Sequence, residues 1–269
     1  MLTLLIALIC GVTAGLLSTF DLHWAWCVFN GFVVFIIVQL ICGLLVRKKV
    51  NKVNARVQEI MNIAQNKINR KMQAFQRRPS GSVKSVQKTL EKDQAASIRE
   101  AMEATSAAEP LYKWNFLLKK QINTMRMLFH YQLREFKKVD ELMPGCLMFD
   151  ARSVAFKVAR MYRNNDPKLD KLVNKKIKRM KGDDCALMYS LYAWILVKRE
   201  QVDKALEVLI AAKKKTDNPT ILENWDKLVN GKVKQFSNSG LGEMWYALNL
   251  EEPKIKAQKQ RQNRRGGFR

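Results

Sequence analysis

The sequence predicts an all-α protein: a two-helix transmembrane hairpin, a basic juxtamembrane helix, a linker and a short α-solenoid. Three observations carry this reading. The chain opens with two apolar runs, Leu2–Phe20 and Trp24–Val46, that hold no Asp, Glu, Lys, Arg or His, and a basic stretch follows at once. Beyond Leu111, helix-like segments recur with a period of roughly 37 residues. Sustained alternation of β-branched residues is missing throughout. The expected boundaries are 1-46 for the hairpin, 47-77 for the basic helix, 78-110 for the linker, 111-252 for the repeat domain and 253-269 for a disordered basic tail.

The two runs of 19 and 23 residues reach roughly 28 and 34 Å as helices, close to the ~30 Å hydrocarbon core. Only Asp21, Leu22 and His23 separate them, so both ends must return to one side of the bilayer. A signal peptide would carry its positive charge ahead of the apolar core, whereas the first basic residue here is Arg47. Arg47, Lys48, Lys49, Lys52 and Arg56 follow the second run, and the connector has no Lys or Arg. The positive-inside bias therefore puts both termini in the cytoplasm and gives the basic cluster a membrane surface of anionic head groups to face. Gly11 and Gly15 form a G-x-x-x-G step that admits a close neighbour, including a second copy of the chain. Asn30 and Gln39 need hydrogen-bond partners within the hairpin or an oligomer.

Val50, Val53, Val57, Ile60, Ala64, Ile68, Met72 and Phe75 recur at three- and four-residue steps, which predicts an amphipathic helix. Its stripe has competing uses: a coiled coil with another helix or a second copy, rest on an anionic membrane surface, or packing elsewhere in the chain. Arg77-Arg78-Pro79-Ser80-Gly81-Ser82 breaks the pattern. The polar stretch to Pro110 reads as a linker with a weak helix between Val86 and Ala104, too poor in large apolar residues to fold alone.

Pro144-Gly145, Lys181-Gly182 and Asn218-Pro219 close successive helix pairs. The pairs are Arg152–Arg163 with Lys168–Met180, Ala186–Lys198 with Val202–Lys215, and Ile221–Phe236 with Leu241–Leu250. Stacked pairs of this length make a solenoid. In the middle pair, Tyr189, Tyr192, Ala193 and Leu196 follow a large-large-small-large pattern, and Ala205, Leu209 and Ala212 follow on the second helix, before Pro219. This segment resembles the tetratricopeptide repeat, with Tyr192 and Ala193 standing where that family usually has Leu and Gly. An N-terminal hairpin ahead of such repeats is similar to a known class of bacterial inner-membrane proteins. The resemblance implies a groove lined by first helices, with Arg160, Tyr189, Trp194 and Lys198 as candidates to face a protein partner and core packing as the competing reading for most of the aromatics.

The chain of 269 residues carries a net charge of +24, from 48 basic and 24 acidic residues, which favours anionic lipid, nucleic acid or an acidic protein. Lys175, Lys176, Lys178 and Arg179 project from one basic helix, and Arg261, Arg264, Arg265 and Arg269 lie in the tail. Arg and Gly with an aromatic at the tail's end suit phosphate contact and stacking on single-stranded nucleic acid. Among five cysteines and two histidines no zinc or disulfide spacing occurs. His130, within Met127-Leu128-Phe129-His130-Tyr131, reads as a helix packing position. Asp140-Glu141, Asp183-Asp184 and Glu251-Glu252 read as helix-end or turn acids, where carboxylates complement exposed amides. Walker, dinucleotide and hydrolase motifs are absent. No catalytic residues, metal or cofactor are therefore expected, and the leading expectation is a non-enzymatic membrane scaffold or adaptor. The rivals are a membrane tether for RNA or ribosomes and a scaffold subunit of a multi-subunit membrane enzyme.

Overall fold

A computed structural model of the protein describes residues 2–18, 24–77, 82–180 and 183–253. Every regular element among them is helical, and none is a strand. The chain divides into two compact units, Met1–Met148 and Phe149–Arg269.

The spine of the first unit is a single long helix. α1 (Leu2–Leu17) packs along the first part of α2 (Trp24–Arg77), which runs unbroken for 54 residues. The division expected at Val46/Arg47 is thus a change of chemistry, with no break in conformation. α2 is also the one described helix both long and apolar enough to cross a membrane, while α1 is a shorter apolar helix.

The segment expected to be a linker with a weak helix over Val86–Ala104 holds a full helix that packs on α2. α3 (Val83–Ala104) starts at Ser82, whose hydroxyl accepts the Lys84 amide N–H. It lies back on α2. Ile98 and Ala101 give it a narrow apolar strip that meets Val57, Ile60 and Phe129. Composition alone argues against folding because the strip is only a few residues wide; α2 supplies the opposing surface. A 3-10 turn, Thr105–Leu111, then leads towards α4 (Leu118–Gln132) and α5 (Phe136–Leu142). Ala108, Leu111, Leu118 and Ile122 close around Val50 and Val53. The α2 stripe is therefore covered by the chain's own helices along Val50–Ile60.

The second unit holds α6 (Ala151–Arg163), α7 (Leu169–Ile177), α8 (Asp183–Lys198), α9 (Val202–Lys213), α10 (Pro219–Val229) and the single turn α11 (Glu243–Tyr246). α8 is buried at every position from Cys185 to Leu196 and packs against α6, α7, α9 and α10. A helix apolar on all faces belongs at the centre of a core. α6 contributes Val154, Val158 and Ala159, α7 Leu169 and Val173, and α9 Ala205, Leu209 and Ala212, all fully or almost fully buried.

Four helices across the two units end in the same way. After α4, α6, α8 and α10 the chain turns through a left-handed residue: Arg134, Asn165, Glu200 and Gly231. In each case the next amide reaches back to the carbonyl of the residue five positions earlier, as in Asp166 N–H to Met161 O at 2.9 Å. This is the Schellman closure, which satisfies carbonyls at a helix end. Only one of the four uses glycine, so composition conceals the other three.

The third expected helix pair is corrected. Its first helix stops at Val229 rather than Phe236, and within Leu241–Leu250 only Glu243–Tyr246 is α-helical, after a 3-10 turn at Ser239–Leu241. An asparagine network replaces the missing pair. Asn224 Nδ2 donates to the Asn238 side chain at 2.9 Å, Asn238 Nδ2 to the Ser190 carbonyl at 2.9 Å, and the Ser237 amide to Asn224 Oδ1 at 3.0 Å. Pro219 opens α10 as its first residue behind the cap Asn218, rather than only closing the pair before it.

Candidate functional site

The α1–α2 hairpin is built on missing side chains. A Cβ on Gly11 would lie 2.7 Å from the Gly31 carbonyl oxygen and 3.0 Å from Phe35 Cβ, and one on Gly31 would lie 2.7 Å from the Gly11 oxygen. Gly15 fits against the Cys27 oxygen, where a Cβ would come to 3.3 Å. The Gly11/Gly15 face is thus spent inside the hairpin, and its counterpart Gly31 escapes sequence reading because no fixed spacing links it to the first helix. The outer faces stay apolar and open: Leu5, Leu16, Phe32, Leu40 and Leu44 are each about 60 % exposed. Asn30 reaches the Ser18 hydroxyl at 3.4 Å, and Ser18 donates to the Ala14 carbonyl at 2.8 Å.

At the other end of the hairpin, α1 is tied down. The Leu2 amide donates to the Lys113 carbonyl at 3.0 Å, and the Thr3 hydroxyl to the Trp114 carbonyl at 3.1 Å. Arg47, Lys48, Lys49, Lys52 and Arg56 are all exposed, with Arg56 paired to Glu59 at 2.9 Å. Between α1, α2 and the loop before α4 opens a cleft of about 490 Å³ that includes Arg47, Asn51, Trp114 and Phe116 in its wall.

Ion pairs fasten α3, α4 and α5. Asp93 of α3 is held by Lys71 and Lys67 of α2, and the hydrogen bond from Lys71 keeps its carboxyl below the usual range. Arg126 bridges Glu109 and the Thr105 hydroxyl, both at 2.7 Å. His130 is buried, its Nδ1 2.8 Å from Glu135, which also accepts from Lys138 at 3.0 Å. The Lys138 and His130 hydrogen bonds lower the Glu135 pKa. His130 is thus a packed side chain at the α4–α5 corner.

In the second unit, two of the four expected groove residues are in the core. Tyr189 is 4 % and Trp194 is 5 % exposed. The Trp194 ring meets Tyr162 and Trp245 edge-on, at 5.4 and 5.5 Å between centroids. One carboxylate, Glu251, accepts both indole N–H groups, from Trp194 and Trp245, each at 2.8 Å. Arg163 donates to the Asn249 and Leu250 carbonyls at 3.2 Å, binding the same segment to α6. The chain's own residues 245–251 therefore cover this face of Trp194. Periodicity cannot tell an outward ring from one covered by a distant segment, and Glu251, read as a turn acid, gives no local sign of its two partners. Lys198 stays exposed with its ammonium 5.4 Å from the Trp194 ring, and half-buried Arg160 donates to Asn164 at 3.3 Å.

Lys175, Lys178 and Arg179 are exposed at the end of α7, whereas Lys176 is half-buried. Lys215 donates to the Ile177 and Lys178 carbonyls at 3.3 and 3.4 Å, adding a cation to that helix end. Arg261, Arg264, Arg265 and Arg269 lie outside the described residues. Among the described residues no group of three or more His, Cys, Asp and Glu side chains is placed to hold a metal ion. Comparison with protein-family models, curated proteins and solved structures gives no match for this chain.

Proposed function

We propose that this protein is a non-enzymatic, membrane-anchored helical scaffold that binds a protein partner at the cytoplasmic face, in the manner of a bacterial inner-membrane adaptor. Leu2–Phe20 and Trp24–Val46 cross the bilayer as a hairpin, and both termini stay in the cytoplasm. The observation that carries this reading is α2 itself. One uninterrupted helix is sheathed in exposed apolar side chains over its first part, then turns basic and buries its stripe under α3 and α4. A helix with that much exposed apolar surface needs lipid around it, and the helices packed on its far half are then held close to the membrane.

The second unit we read as a short tetratricopeptide-like array of α6–α7, α8–α9 and α10. Paired helices with Schellman turns support this, as do the fully buried small residues Ala193, Ala205 and Ala212. Lys198 and Arg160 remain on its surface for a partner. The exposed Lys175, Lys178 and Arg179 favour a second reading, in which the protein tethers RNA or ribosomes.

Crosslinking of the full chain in intact cells tests the scaffold, followed by gentle detergent extraction and mass spectrometry with and without nuclease. The scaffold reading expects one reproducible set of membrane proteins that survives nuclease. Ribosomal proteins or RNA that vanish with nuclease would transfer the function to the second reading, and no specific co-purification would sink both.

A further inference from the structure

We propose that the cleft at the base of the hairpin seats the phosphate of an anionic membrane phospholipid, and that the loop from Tyr112 to Leu117, with the first turn of α4, lies in the headgroup layer as a second membrane contact. This rests on the hairpin crossing the bilayer.

Depth is the first argument. The Leu2 and Thr3 hydrogen bonds to the Lys113 and Trp114 carbonyls fix the loop against the first turn of α1, where the apolar surface of the hairpin begins. On α2 the same level is marked by the change from exposed Leu44 and Leu45 to exposed Arg47. The loop therefore stands at the border between hydrocarbon and water. A polar loop there would need nothing apolar on its outside, yet Phe116 is 56 % exposed. Beside it are half-buried Trp114 and exposed Lys113, Lys119 and Lys120. Aromatic rings with lysines are the composition of a headgroup boundary, where rings sit amphipathically and cations meet anionic lipid.

The chemistry of the cleft is the second argument. Arg47 supplies a guanidinium suited to phosphate oxygens, and Asn51, Asn54, Asn115 and Gln121 supply amide groups for the rest of a headgroup. Among the described residues no carboxylate lines it. Leu4, Val46 and Phe116 form its apolar side, fit for the root of an acyl chain.

The test uses the full chain in vesicles of phosphatidylglycerol and phosphatidylcholine, with a benzophenone amino acid at position 116 or, as a hairpin control, at exposed position 40. In parallel, native mass spectrometry of the detergent-extracted chain counts retained phosphatidylglycerol, for the unaltered protein and for Arg47→Gln, with and without excess inorganic phosphate. Lipid adducts at both positions are expected, together with a several-fold loss of retained lipid in Arg47→Gln and no displacement by inorganic phosphate. An adduct at 40 but none at 116, or unchanged retention in Arg47→Gln, would overturn the lipid site while leaving the anchor intact. Displacement by inorganic phosphate would reassign the cleft to a free anion. No adduct at either position would remove the anchor and the lipid site together.

Discussion

Gly11 and Gly43 are both glycines in apolar helices, and the packing around them makes opposite demands. A methyl at Gly11 meets a backbone oxygen at 2.7 Å, while one at Gly43 meets nothing within 4 Å. Gly11→Ala should cost about 1–3 kcal/mol, the usual range for overpacking, and should lower the melting midpoint in detergent. Gly43→Ala should leave it level or slightly raised, because alanine favours a helix interior over glycine. Asp150 gives a test that depends on pH. Burial pushes its carboxyl up, but hydrogen bonds from the Ser153 hydroxyl and amide outweigh that and hold it below the usual range. A folded value below the unfolded ~3.9 means the stabilisation is complete above about pH 4. It is lost as the pH falls through the folded value. Asp150→Ala removes the cap of α6 and should cost about 1 kcal/mol at neutral pH, and the gap from the unaltered chain should narrow in acid.

At the level of the elements, α3 decides whether residues 78-110 are a tether or part of the body. Ile98 is 2 % exposed and faces Val57, Ile60 and Phe129. Its truncation to alanine should cost about 2–5 kcal/mol, and amides of α3 should exchange slowly in the unaltered chain and much faster in Ile98→Ala. Rapid exchange in both would restore the linker. The sequence disclosed this helix only as a weak one between Val86 and Ala104, with no sign of its packing, since three or four apolar residues suffice only when α2 is already there to meet them. What was legible followed local period and charge: the helical content and the exposed cluster after Val46. What was not legible depended on distant pairs. Trp194 looks like a groove residue until Trp245 and Glu251 arrive from some fifty positions away, and the left-handed turns at Arg134 and Glu200 lack the glycine that would announce them.

For the whole molecule, a net charge of +24 and an apolar hairpin ask for one setting that accepts both. In the proposed topology an anionic membrane surface does so: the hairpin meets the hydrocarbon, and cations near the boundary each gain about 1 kcal/mol from the surface potential. The scaffold and lipid-site proposals both depend on that topology. The decisive measurement is therefore labelling of intact cells with a membrane-impermeant maleimide, in a chain whose five native cysteines are replaced by alanine. One variant carries Leu22→Cys in the connector between the two apolar runs, and the other Ser106→Cys on the exposed side of the 3-10 turn. The expected result is labelling of position 22 from outside, with position 106 labelled only after the cells are opened. Equal protection of both positions in intact cells, with release of the chain from membranes by alkaline carbonate, would contradict the hairpin.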